Sequence, residues 1–151
     1  MTTTTEQGEP GAAPHPSDRL RFGYFPTPTG ADPNRIDGGP VKAIAATPAV
    51  VVRVPVPPFA KVVLRVELVA VRTLPALPLV GGAASVFVAG HRDAPTNPPV
   101  VDTTTIVATD GPYAVSAVAA PTGDAIDLVF TGLPAEEYSV GASVLAFGVR
   151  Q

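Results

Sequence analysis

The chain has 151 residues, room for one domain, and its 10 Lys+Arg against 13 Asp+Glu give a net charge of -3, which suits neither a polyanion binder nor an acidic tail. Its 19 prolines and 14 glycines exclude a helical bundle, because each interior proline costs a helix about 3 kcal/mol. The absence of cysteine excludes disulfide scaffolds and thiolate metal centres. The stretch from Met1 to Pro10 has no basic segment followed by an apolar one, so synthesis in a cytoplasm without a signal peptide is expected. No run of about 18 residues is apolar and free of charge and proline, so no membrane span is expected.

Residues 1–40 hold seven of the prolines and six of the glycines and show no sustained period of 2 or 3.6. Such a segment cannot bury enough apolar surface to fold alone. We read residues 1–47 as an extended arm and residues 48–151 as the folded domain. Within the arm, Arg19, Arg21, Phe22, Tyr24 and Phe25 form a dense aromatic and basic patch. These rings either pack on the chain's own domain or anchor the arm on a neighbouring subunit, since aromatics flanked by arginine are common interface anchors.

From residue 48 the pattern alternates. Val50, Val52, Val54 and Val56 fall on one face, and Pro55, Pro57 and Pro58 confine this strand to a sheet edge. The strongest alternation follows, with Val62, Leu64, Val66, Leu68 and Ala70 on one face and Lys61, Arg65 and Glu67 on the other. Further strands are expected over Ala83–Gly90, Thr103–Thr109, Tyr113–Ala120, Ala125–Thr131 and Tyr138–Val149. Gly81-Gly82 and the segments 94–99, 110–112, 121–124 and 132–134 read as turns, and residues 134–137 as a short helical turn. The expected fold is therefore all-β, an antiparallel sandwich of jelly-roll type preceded by the arm.

Two strands are apolar on both faces. Val63, Val69 and Val71 lie beside Arg65 and Glu67, while Leu145, Phe147 and Val149 alternate against Val140, Ala142, Val144 and Ala146. A lone sandwich leaves one face of each strand polar. The second apolar face is covered either by another copy of the chain or by its own arm or a loop.

Catalytic and metal-binding patterns are thin. His15 and His91 are the only histidines, too few for a metal site of three or four ligands or for a cupin-type enzyme. His91-Arg92-Asp93 with Asn97 departs from the kinase catalytic loop in spacing and contains Pro95, and Gly141-Ala142-Ser143 lacks the second glycine of a nucleophile elbow. Asp124 and Asp127 could offer oxygens to calcium, and Asp102, Asp110, Glu136 and Glu137 could supply paired carboxylates, but no spacing joins them. No enzyme, cofactor, metal site or nucleic-acid partner is expected.

The Thr/Pro/Gly arm, the Val-rich strand Ala60–Arg72 and the closing strands around Thr122-Gly123-Asp124 together resemble small virion structural proteins of tailed bacteriophages: capsid decoration proteins, head fibres and appendage β-domains. The resemblance implies a non-enzymatic virion subunit, a homotrimer bound to the major capsid protein or another virion protein through its N-terminal arm. The alternative is a carbohydrate-binding sandwich that recognises a host surface glycan through Asp102, Asp110, Asp124 and Tyr113.

Overall fold

The computed structural model describes residues 34–151. Eight strands follow one another: β1 (Arg35–Ile44), β2 (Ala49–Pro55), β3 (Ala60–Leu74), β4 (Gly81–Arg92), β5 (Val100–Thr109), β6 (Ala114–Ala119), β7 (Ala125–Thr131) and β8 (Glu137–Arg150). They form two antiparallel sheets, one of five strands in the order β1-β8-β3-β4-β5 and one of three in the order β2-β7-β6. The chain is thus a β-sandwich. The β1-β8-β3 and β2-β7 neighbours give it the interleaving of a jelly roll, while β3-β4-β5 run as a meander within one sheet.

The strict alternation of β3 places Val62, Leu64, Val66, Leu68 and Ala70 in the core, with Lys61, Val63, Arg65, Glu67 and Val69 exposed. Opposite them, β7 contributes Ile126, Leu128 and Phe130, and β2 contributes Val54 with Val56 just beyond it. Each such side chain, fully buried, stabilises the fold by about 1.5–3 kcal/mol before conformational entropy is counted. Three aromatic rings close one end of the core. Phe130 lies 4.8 Å from Tyr113 and 5.5 Å from Tyr138 between ring centroids, in tilted and edge-on contacts.

Four connections carry the chain from one sheet to the other, after β1, β2, β5 and β7. Each contains a residue with positive φ: Ala45, Phe59, Gly111 and Ala135. The reversal between sheets needs a backbone conformation that alternation does not encode. Pro134 followed by Ala135 at φ 64 is the signature of a type II turn, closed by the bond from the Glu136 N–H to the Leu133 carbonyl at 3.3 Å. The expected helical turn over residues 134–137 is therefore absent; one positive φ ends any helix there.

Three further departures have local causes. The five-stranded sheet takes in residues 35–44, which the sequence reading gave to the arm. The pairing of β1 with β8 shifts register between Gly38 and Val41, so no continuous alternation marks the strand. Gly38 leaves room for the Val51 carbonyl and the Val52 side chain, where the two sheets approach each other at this edge. In β2 a register shift between Val50 and Val52 turns Val50 outward and Val51 inward, so the buried set is Val51, Val52, Val54 and Val56. Gly81 and Gly82 are the first residues of β4 rather than a turn.

Two arginines tie the loops of the meander to the sheet crossings. Arg72 donates to the carbonyls of Pro75 and Pro78 and to the Glu136 carboxylate, each at 3.0 Å. Arg92 donates to the carbonyls of Pro95 and Asn97 at 2.8 Å and to that of Val56 at 3.0 Å. Proline-rich loops leave carbonyls without strand partners, and one planar guanidinium satisfies several at once.

The Tyr138 hydroxyl donates to Glu136 at 2.7 Å, and together with Arg72 it holds the Glu136 carboxyl below the usual glutamate range. A lowered native pKa contributes stability that is complete above the ordinary value of about 4.3 and is lost as pH falls through the lower native value. The gap in melting temperature between the wild type and Glu136→Gln should therefore be widest near neutral pH and narrow on acidification below about 4. Thermal melts across that range check this, and a constant gap would assign Glu136 a packing role only.

Candidate interaction surface

The arm patch Arg19, Arg21, Phe22, Tyr24 and Phe25, and His15 with it, lie outside the described residues. The remaining candidates for chemistry are dispersed, each bound into a local contact. His91 Nδ1 is 2.9 Å from Asp102, which Lys61 also approaches at 3.8 Å. Asp110 accepts the Ala83 N–H at 2.8 Å. Glu137 pairs with Lys42 at 3.0 Å. Asp124 accepts the Thr122 hydroxyl at 2.7 Å.

Asp127 is only 1% exposed and takes both Nε and Nη2 of Arg53 at 2.7 and 2.9 Å, so both its oxygens are engaged. This fork spans the β2-β7 pair, where Arg53 and Asp127 are direct partners. The bond to Asp127 also raises the Arg53 pKa above its ordinary value. Among the described residues no three His, Cys, Asp or Glu side chains converge.

The residues named for a glycan site are not brought together either. Tyr113 is buried against Phe130, and its hydroxyl donates to the Asp110 carbonyl at 2.8 Å. It offers no open ring face to a sugar. Asp102 and Asp110 lie toward opposite ends of β5, and Asp124 is on the β6–β7 turn.

What the fold does assemble is the outer face of the five-stranded sheet. Pairing of β3 with its two neighbours sorts this face into transverse rows. Val63 sits between Phe147 and Ala89, and Arg65 between Leu145 and Phe87. Glu67 follows between Ser143 and Ser85, and then Val69 between Gly141 and Ala83. The first two rows form an apolar patch on which the Arg65 guanidinium lies 5.9 Å from the Phe87 ring centroid, within cation–π range. The Glu67 row is polar, with the Ser85 hydroxyl donating to the carboxylate at 2.9 Å.

Beyond that row is an open groove of about 520 Å³, with Val69, Val71 and Gly141 along it and Arg35, Asp37 and Glu67 at its sides. Arg35 Nε bonds Asp37 at 3.0 Å and, with Ser143, holds that carboxyl below the usual aspartate range. The apolar members Val63, Val69, Val71, Leu145 and Phe147 follow from the two-sided strands of the sequence. Phe87 does not, because only the β3-β4 register sets it beside Arg65.

No family model matches the chain, and no curated protein matches it. Among solved structures it is similar to the tailspike protein gp49 of Acinetobacter baumannii bacteriophage Fri1, a capsular polysaccharide depolymerase, with 14% identity and a TM-score of 0.40. That likeness covers 78% of this chain and 18% of the tailspike, so the chain spans less than a fifth of the tailspike's length. Among the described residues no helix is long and apolar enough to cross a membrane.

Proposed function

We propose that the protein is a non-enzymatic structural subunit of a tailed-phage virion, a capsid decoration or surface appendage protein that associates with copies of itself and is attached through its N-terminal segment. The observation that carries this reading is the division of labour among side chains. The described carboxylates and arginines that could do chemistry hold strands and loops together, whereas the outer face of the large sheet leaves Val63, Phe87, Phe147 and Val149 exposed over three adjoining strands. An exposed apolar face of this kind marks an association surface.

The test is deletion of residues 1–33, which spares β1; a cut at residue 40 would remove more than half of that strand. The truncated chain is expected to keep the far-ultraviolet circular dichroism of a β-sandwich and to be missing from purified particles. Normal incorporation would overturn the attachment role. A second reading, glycan recognition, draws on the groove, whose carboxylates at Asp37 and Glu67 flank apolar Val69. A glycan-array signal abolished by Asp37→Ala would replace the structural reading with that one.

A further inference from the structure

We infer that two copies of the chain associate by antiparallel pairing of their β5 edges across a two-fold axis. The inference deepens the self-association part of the proposed function by naming the strand and the symmetry. It is independent of any attachment through the N-terminal segment.

Among the described residues the sandwich has four edge strands, and β5 is the least guarded of them. β1 carries Arg35, Asp37 and Lys42, a break in register and Pro40. β2 carries Arg53 and Pro55 and its own register shift. β6 is only six residues long and is bracketed by Pro112 and Pro121. Charges, prolines, bulges and shortness are the devices that keep sheet edges from pairing with other chains. β5 is ten residues long, has no proline or glycine, and carries one charge, Asp102 near its start. Its register on β4 shifts at two places, and between them Thr103–Ile106 run regularly against Ala89–Val86.

The same strand overhangs the smaller sheet. Ile106 pairs with buried Val86 and Thr104 with buried Val88, which puts both side chains on the inward side. Ile106 is nevertheless 50% exposed, and the adjoining Val107 is 55% exposed. Five strands lie over three, a difference of about 10 Å at a spacing of about 4.8 Å per strand. A second copy supplies the missing hydrogen-bond partners through its own β5 and extends the sheet past the overhang, and pairing centred on Thr105 makes the two Ile106 side chains diagonal neighbours.

Self-pairing is also compatible in charge and side chain. A continuous sheet requires directly opposed residues to point to the same face, so β5 pairs with itself about Thr104 or about Thr105. The first register sets Thr103 opposite Thr105 and leaves Asp102, the extra residue at the register shift, outside the regular pairing. The second sets Thr104 opposite Ile106 and Asp102 opposite Ala108. Neither opposes the two aspartates, and opposed threonines are a favourable cross-strand pair. The contact is isologous, so it produces assemblies with an even number of copies.

The test is the molar mass of the full chain by size-exclusion light scattering at high micromolar concentration, with the double variant Thr104→Lys/Thr105→Lys beside it. The wild type is expected at an even multiple of 15.3 kDa, and the double variant at half the wild-type mass, because either register then opposes lysines on the axis. Val118→Lys, on the β6 edge, is expected to keep the wild-type mass. A monomer, a trimer, or a double variant with unchanged mass overturns the inference. Should the double variant fail to fold, hydrogen exchange of the wild type decides. Amides within Thr103–Ile106 are expected to gain protection as concentration rises, and concentration-independent exchange overturns the pairing.

Discussion

Phe130→Ala is expected to lower the stability of the domain by about 3–5 kcal/mol, the range for removing a buried aromatic side chain. A domain of this size has about 5–15 kcal/mol in total, so the variant loses a substantial fraction of it. Phe130 is fully buried on β7, between Tyr113 at the β5–β6 crossing and Tyr138 on β8. Neither tyrosine is free to fill the cavity. The Tyr113 hydroxyl is tied to the Asp110 carbonyl at 2.8 Å and the Tyr138 hydroxyl to Glu136 at 2.7 Å, so moving a ring inward breaks a hydrogen bond. The variant therefore belongs at the costly end of its class. Thermal unfolding followed by circular dichroism should show a drop of about 10–20 °C. Phe130→Leu, which leaves a smaller void, should cost less than half as much. A loss under about 1 kcal/mol for Phe130→Ala would mean that the three rings are not the centre of the core.

The fold was legible where one rule acted alone. β3 has an unbroken period of 2 over a segment without proline or glycine, and its five predicted inward residues are all buried. β7, bracketed by turn residues, spans the predicted Ala125–Thr131. Legibility failed where a local irregularity reset the phase. The bulge in β2 moved Val50 from the core to the surface, and the Gly38-Gly39-Pro40 interruption hid β1 within a proline-rich stretch. The crossings failed for another reason: positive φ at Ala45, Phe59 and Ala135 is imposed by the geometry between sheets, and no residue type announces it.

The candidate interaction surface was legible by halves. Two-sided apolar strands marked the outer face of β3 and β8, since excess apolar residues at polar positions are visible in any register. The overhang of β5 was not, because it depends on how many strands each sheet holds, a property of topology. The clamping arginines left a signal that composition alone could not show. Arg92 at the end of β4 and Arg72 two residues before the end of β3 each stand three residues before a proline, Pro95 and Pro75, whose carbonyl each one binds. Counted simply as dispersed positive charges, they carried no meaning; placed before proline-rich loops, they mark where a guanidinium replaces strand partners.

Gly82→Ala is expected to cost about 3 kcal/mol, the upper end for forcing extra volume into a packed site. The reason is space rather than backbone freedom, since Gly82 lies in β4 and is not among the positive-φ residues. A Cβ there meets the Asp110 carbonyl oxygen, the Asp110 carboxylate and the Tyr113 hydroxyl. None of the three can retreat. The Asp110 N–H donates to the Ala83 carbonyl at 2.9 Å, its carboxylate accepts the Ala83 N–H at 2.8 Å, and its carbonyl accepts the Tyr113 hydroxyl at 2.8 Å. The methyl must displace this lock, which joins β4 to the crossing after β5 and to the aromatic end of the core. Gly123→Ala provides the contrast, because Gly123 has φ 79 on the β6–β7 turn and nothing within 4 Å of an added Cβ. That change costs only the left-handed backbone, about 1–2 kcal/mol. Near-ultraviolet circular dichroism separates the two, since the chain has no tryptophan and three tyrosines. Gly82→Ala should alter the tyrosine band by displacing Tyr113, while Gly123→Ala leaves it unchanged. If Gly123→Ala proves the costlier substitution, backbone conformation outweighs packing here, and the close approach at Gly82 is not what holds the crossing in place.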